Sequence, residues 1–356
     1  MLTGQTLQRD GKGFDGIQAI RFLAAMLVVV MHAIDSMVSH GAGIAPWDGG
    51  GIGVDIFFVV SGFVMALTTA NVSHGWPARV QAAFLFCKRR LIRLLPVYWF
   101  YTTLKIMIVL LLPALALRAR LDPVHILASY LLFPTVAPWG LVQPILPVGW
   151  TLCLEMLFYA IFALAILLGA PRLIFCLLVF GLISLLHRCM PDVVALAFYQ
   201  HSMVYDFALG IFIAWAWKKS GPVPRLLAPV AMIPAFLVIF GETIGSGVWF
   251  YLARGMAAGA FVWSVAVLEP VWQGLRFLPF VKHLGDASYS TYLSHSFVVP
   301  FTVMALVNYL PPLVTLLAVV SSCAVTGSLS YIFIERPMIS FFRKNLGADT
   351  ARPVTS

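Results

Sequence analysis

IQAIRFLAAMLVVVMHAIDSM, Ile17 to Met37, is the stretch on which the fold turns. At roughly 20 mostly apolar residues it is long enough to cross a bilayer as a helix, whereas the core of a signal peptide is about 7–15 residues. It follows a polar start containing Arg9 and Lys12 and is read as an uncleaved first span. The rest of the chain agrees: of 356 residues, 61% are hydrophobic and only 10% charged, with a mean hydropathy of +0.94. Soluble domains are about 25% charged. A soluble fold of this length has no place to hide so much apolar surface, and a bilayer removes the difficulty. The fold class expected is therefore an all-α polytopic membrane protein.

At about 20 residues per crossing, ten spans are expected, at 17–37, 52–70, 94–112, 148–168, 172–187, 200–217, 226–242, 248–268, 287–307 and 313–334. With the N-terminus inside, one side collects Arg9, Lys12, Arg79, Lys88, Arg89, Arg90, Arg93, Arg172, Lys218, Lys219, Arg225, Arg276, Lys282, Arg336, Arg343, Lys344 and Arg352. The other side has Arg118, Arg120 and Arg188. Basic residues favour cytoplasmic loops, so both termini are placed in the cytoplasm; the membrane expected is a bacterial inner membrane. The net charge of +9 then reports topology, and no nucleic-acid partner is expected. Residues 1–16 form an N-terminal segment, 17–340 the membrane domain and 341–356 a polar tail. The longest connection, 113–147, contains an apolar piece, Val124 to Phe133, flanked by Pro123 and Pro134 and too short to span. It reads as an interfacial or re-entrant helix. Five scattered cysteines, Cys87, Cys153, Cys176, Cys189 and Cys323, suit neither disulfides nor a metal site. Asn71-Val72-Ser73 matches a glycosylation sequon but falls on the cytoplasmic side and is discarded.

Ionisable residues within spans are costly and usually functional. Arg21 and His32 are eleven residues apart in the first span, on one face and about 16 Å apart along the axis. Asp35 shares that face and is placed to orient the imidazole. The alternative is a snorkelling arginine plus a histidine bonded to a neighbouring helix. Glu155 comes about 10 Å inside the outer surface, near His32 in depth, with Asp206 and Arg254 similar and Asp55 slightly shallower. A hydrated outer cavity explains the shared depth better than scattered ion pairs, the alternative. On the inner side, Cys87-Lys88-Arg89-Arg90-Leu91-Ile92-Arg93 is expected to open the third span, with Pro96 in its first turn. Arg90 and Arg93 share a face, and guanidinium groups at a helix end suit a polyphosphate. Lys88 and Arg89 read as anchors to lipid headgroups. Lys282 to Ser290 is expected to open the ninth span, and Glu335-Arg336-Pro337 to close the tenth. His295, about 12 Å from the inner side, is placed nearer Arg21 than His32. Ser61 and Gly62 read as helix-packing residues.

Six segments, in order over about residues 14–340, resemble the acyltransferase family 3 of membrane enzymes. They are the Arg21-x10-His32 helix; Gly53-Val54-Asp55-Ile56-Phe57-Phe58 with Ser61-Gly62-Phe63; and Arg90-x-x-Arg93 with Pro96 and Tyr98. The others are Trp150-Thr151-Leu152-x-Leu154-Glu155, Tyr289-Ser290-x-Tyr292 with His295, and Glu335-Arg336-Pro337. The segments at Ile17–Arg21 and Val148–Phe158 resemble its exopolysaccharide-acetylating subgroup. The resemblance implies O-acylation of extracytoplasmic or lipid-linked saccharides from a cytoplasmic acyl-CoA, most often acetyl-CoA, with essential residues matching His32 and Arg21. Some members carry a fused extracytoplasmic esterase-like domain; none is read here, so transfer is expected from the membrane domain itself or with separate polysaccharide-assembly proteins.

On this reading His32, Asp35 and Glu155 are catalytic. Arg21, Arg90, Arg93, Tyr289, Ser290 and His295 hold the donor, and Asp55, Asp206 and Arg254 the acceptor. His32 is either general base or a transient acyl carrier. A transporter for a lipid-linked saccharide and a non-catalytic scaffold are the rivals. The absence of an internal repeat counts mildly against the transporter.

Overall fold

The computed structural model describes residues 14–70, 75–112, 120–219, 227–241, 248–272 and 278–347. Most of the N-terminal segment, the end of the tail, Asn71-Val72-Ser73, and the basic residues Arg9, Lys12, Arg118, Arg225, Arg276 and Arg352 lie outside them. Among the described residues no strand occurs, apart from an isolated bridge between Val136 and Val142.

The helices are α1 (Asp15–Ser39), α2 (Ile52–Thr68), α3 (Trp76–Leu111), α4 (Pro123–Tyr130), α5 (Trp150–Leu168), α6 (Arg172–Cys189), α7 (Val194–Tyr199) and α8 (Val204–Lys219). There follow α9 (Leu227–Phe240), α10 (Val248–Val267), α11 (Glu269–Trp272), α12 (Leu278–Asp286), α13 (Ser288–Leu306), α14 (Pro312–Ser330) and α15 (Arg336–Asn345). Seven stretches among the described residues are long and apolar enough to cross a membrane, which makes this a multi-pass membrane protein. The three expected spans outside that set have physical reasons. α8 and α9 have 16 and 14 residues. α13 has 19 but carries Ser288, Ser290, Thr291, Ser294, His295 and Ser296, which lower its hydropathy.

Two expected helix ends are corrected. The Lys88–Arg93 cluster does not open a span: α3 is one helix of 36 residues, about 54 Å long. Arg90, Arg93 and Pro96 therefore lie in its interior. Pro96 removes one backbone bond, a loss that packed membrane helices tolerate. Likewise Glu335-Arg336-Pro337 does not end the last span. The helix passes through a π-helical turn, Tyr331–Glu335, and runs from Pro312 to Asn345.

The chain forms two compact units, one of residues 1–70 with 202–328, the other of 71–201 with 329–356. In the first, α1 packs against α2, α10, α12 and α13, and α2 packs against α8 and α10. The α2–α8 contact is close because Gly62 and Gly210 face each other's backbones. A Cβ on Gly62 meets the Phe207 carbonyl, and one on Gly210 meets the Val59 carbonyl. The packing role expected of Gly62 is thus observed. Val29, Ala33 and Met37 of α1 pack with Val299 and Val303 of α13 and with Val319 and Cys323 of α14.

In the second unit α3 packs against α5, and α5 against α6. Gly169, at φ 67°, closes α5 in the left-handed conformation that favours glycine. α4 is the expected short helix, capped by the Asp122 carboxylate accepting from the His125 amide at 2.8 Å. Two residues of α3 tie it down: the Tyr98 hydroxyl donates to the Ser129 carbonyl (2.8 Å) and the Trp99 indole to the Tyr130 carbonyl (2.9 Å).

Candidate functional site

Arg21 and His32 sit in one uninterrupted helix whose start is fixed from outside itself. Buried Glu269 accepts from the amides of Asp15 (2.6 Å) and Gly16 (3.0 Å), two of the donors that a helix N-terminus leaves unpaired. Lys282 pairs with Asp15 at 3.1 Å. Arg21, half-buried, donates to the Gln18 amide oxygen at 3.0 Å. One turn of α12 lies close by, since Gly285 packs against the Gln18 carbonyl.

His32 is half-buried, and its Nδ1 lies 2.9 Å from the Val28 carbonyl. A carbonyl only accepts, so Nδ1 carries the proton and Nε2 of the neutral ring presents a lone pair. The ring is thus oriented by its own helix; Asp35, exposed, is within electrostatic reach but does not hold Nδ1. The ring of His295 lies against it, with centroids 5.1 Å apart and planes at 55°. This corrects the depth assigned to His295. The residues before α13 form α12, which already runs alongside the first turns of α1. Counting from Ser288 as though it lay at the surface therefore put His295 too low. Tyr292, 5.5 Å from His295, and Phe57 of α2, 6.0 Å from Tyr292, complete this aromatic group. Of the other residues assigned to the donor on α13, Tyr289 is half-buried and Ser290 fully buried.

Asp55, Asp206 and Arg254 come together as expected, but as a closed trio. Arg254 Nε is 2.6 Å from Asp55 Oδ2, and the Asp206 carboxyl lies within electrostatic reach of both. Only 1%, 6% and 7% of Asp55, Asp206 and Arg254 is exposed, so the trio offers a saccharide little surface. Two glycines make room for it: a Cβ on Gly51 comes within 2.9 Å of Arg254 Nη1, and one on Gly255 runs into the Asp206 carboxylate.

In the second unit, Glu155 accepts a hydrogen bond from Tyr159 one turn later in α5. Phe86 of α3 meets Phe162, at 5.2 Å between centroids, and Tyr98 packs against Gly149. This antiparallel register sets Arg93 level with Glu155, and both Arg90 and Arg93 lie within electrostatic reach of Tyr159. An inner basic layer separate from an outer acidic one is therefore not what this unit contains. With the arginines in mid-helix, the two sets form one cluster. Residues 335–339 approach α3 nearby: Ile339 packs with Ile92, and Glu335 is fully buried.

The sequence profile of a family described as an acyltransferase domain matches residues 14–334, most of the chain. The chain belongs to acyltransferase family 3. Among curated proteins, this acyltransferase is 33% identical over 305 residues to the exopolysaccharide production protein ExoZ of Rhizobium meliloti, covering 82% of the chain and 90% of that protein. It is 24% identical over 358 residues to the O-acetyltransferase OatA of Staphylococcus aureus, covering 91% of the chain and 57% of that protein. It is also 25% identical over 374 residues to the peptidoglycan O-acetyltransferase OatA of Listeria monocytogenes, covering 96% and 57%. The chain thus spans little more than half the length of the two O-acetyltransferases. No solved structure matches. Membership decides for an enzyme over the transporter and scaffold readings.

Two residues of this acyltransferase were not singled out from sequence. Tyr159 had a signal, since Glu155 and Tyr159 are an i,i+4 pair on one face of a helix. Glu269 had none: its partners at the start of α1 are more than 250 positions away.

Proposed function

We propose that this enzyme moves an acyl group, acetyl in the simplest case, from cytoplasmic acyl-CoA to a hydroxyl of an extracytoplasmic or lipid-linked saccharide. The observation that carries the mechanism is the hydrogen bond from His32 Nδ1 to the Val28 carbonyl, which leaves Nε2 as the basic nitrogen on a half-buried ring. The names of the relatives, an exopolysaccharide production protein and O-acetyltransferases, support a saccharide acceptor and an acetyl group.

In the reaction, Nε2 takes the hydroxyl proton as the oxygen adds to the thioester carbonyl carbon. Collapse of the tetrahedral intermediate breaks the C–S bond, and the imidazolium returns its proton to the departing thiolate. Ester and free coenzyme A result. Arg90 and Arg93 supply the forked donors that CoA phosphates require, with the Glu155–Tyr159 pair holding them in place, and Arg21 adds a further cation toward the donor. On this reading the chain crosses a bacterial inner membrane ten times with both termini cytoplasmic, and the donor enters from the cytoplasm.

Two measurements test this. Arg90→Ala should raise the KM for acetyl-CoA several-fold more than that for the acceptor; an unchanged donor KM removes Arg90 from the CoA site. Labelled acetyl should not accumulate on the protein in a quenched single turnover. A kinetically competent acetyl-protein replaces the base role of His32 with nucleophilic catalysis.

A further inference from the structure

His295 is 1% exposed, and neither ring nitrogen has a hydrogen-bond partner. The carbonyls of Thr291 and Tyr292, though within electrostatic reach, fall short of hydrogen-bond geometry. A neutral imidazole carries one N–H donor and one lone pair. Leaving both unmade in a buried place is costly and rare, and each native instance needs a reason.

The surroundings supply one. His295 lies between Tyr292 and His32, and His32 is the partly exposed member of the histidine pair, so approach is from its side. The two imidazoles differ in what they offer. His32 has its N–H committed to Val28 and presents a lone pair, whereas His295 has an N–H committed to nothing. Ring centroids 5.1 Å apart bring both imidazoles within reach of one reacting group, as acyl transfer requires of a base and an oxyanion donor.

We propose that His295 is the oxyanion donor of the transfer, binding the carbonyl oxygen of an acyl thioester. As the acceptor oxygen adds to the carbonyl carbon and its proton passes to His32, the C=O electron pair moves onto oxygen, and the His295 N–H donates to it. When the C–S bond breaks, that pair re-forms the carbonyl and the hydrogen bond relaxes. A single uncharged donor in a buried setting suits a carbonyl oxygen better than a phosphate, so His295 recognises the acyl end of the donor and not its nucleotide. This role rests on the acyl-transfer reading above.

The test compares His295→Leu, which keeps the volume without the donor, with His295→Gln, which restores an N–H donor. The purified full chain, reconstituted in nanodiscs, is given acetyl-CoA and surface polysaccharide from the producing cell, and release of free coenzyme A is followed. For His295→Leu we expect kcat to fall about 100-fold, the cost of one oxyanion donor. Its acetyl-CoA KM should stay within about threefold, and its Tm should be equal or higher, because an apolar group of similar shape relieves the unmade bonds. His295→Gln should recover about tenfold in kcat over the leucine variant. The proposal is overturned by a leucine variant of wild-type kcat, by a loss confined to KM, by a lowered Tm that accounts for the lost activity, or by glutamine no better than leucine. A wild-type chain that releases no coenzyme A overturns the acyl-transfer reading and this role with it. An active wild type with an indifferent leucine variant overturns this role alone.

Discussion

Two groups of polar side chains inside the same compact unit have opposite designs. Asp55, Asp206 and Arg254 answer one another: the guanidinium pairs with one carboxylate and the second carboxyl lies within reach, with glycines making room for them to meet. His32, half-buried, and His295, fully buried, also sit among apolar helices, yet one presents a lone pair and the other keeps both nitrogens unpaired. Burying charge is tolerable when the charges close on themselves. Burying an imidazole with its bonds unmade is tolerable only where something else makes them. The trio therefore reads as the clasp of α2, α8 and α10, and the histidine pair is the proposed reaction centre.

That contrast can be broken from either side. The largest effect should come from His32→Ala, which we expect to lower acyl transfer by about 10²–10⁴, the usual value of a general base, while the protein inserts and melts normally. Acetyl content of the cell's surface polysaccharide, set against the amount of folded protein, is the measurement; normal acetylation sinks the mechanism.

Arg254→Met should do the reverse. Removing one partner of a buried ion pair costs about 3–5 kcal/mol, read as a lower Tm in detergent, with the activity per folded molecule largely kept. Asp55→Asn in the same chain should restore part of the loss, because the stranded carboxylate is then gone. A raised acceptor KM at unchanged Tm would instead return the trio to substrate binding, the role first expected of it.

The smallest effect asks on which side the Glu155 cluster falls. Tyr159→Phe removes a hydrogen bond to a charged acceptor, worth about 1.5–3 kcal/mol. We expect a modest drop in Tm and a donor KM raised by the loosened Arg90 and Arg93. A lower kcat at unchanged donor KM would move Glu155 into the chemistry.

The sequence by itself determined that the chain is helical and membrane-spanning, because a chain 61% apolar and 10% charged has no other stable way to place its surface and satisfy its backbone. It also drew attention to the ionisable residues within spans, since such a group in an apolar run is conspicuous without any structure. The bounds of α5 and α6 were legible to within about two residues, from the Gly169-Ala170-Pro171 break between them. What it could not decide was company and level. Depth counted along each span assumes that every span starts at the surface, and the continuous α3 and the α12 that precedes α13 both violate that. So Arg90 and Arg93 moved from a helix end to mid-helix beside Tyr159, and His295 moved from Arg21 to His32. Whether a polar residue ends in a closed ion pair or beside an unpaired partner was likewise a tertiary decision. Asp55 and His32 look alike as polar interruptions of apolar helices, and the difference is only that Asp55 meets Arg254 across the packed bundle, while His32 meets a second imidazole whose nitrogens are unpaired.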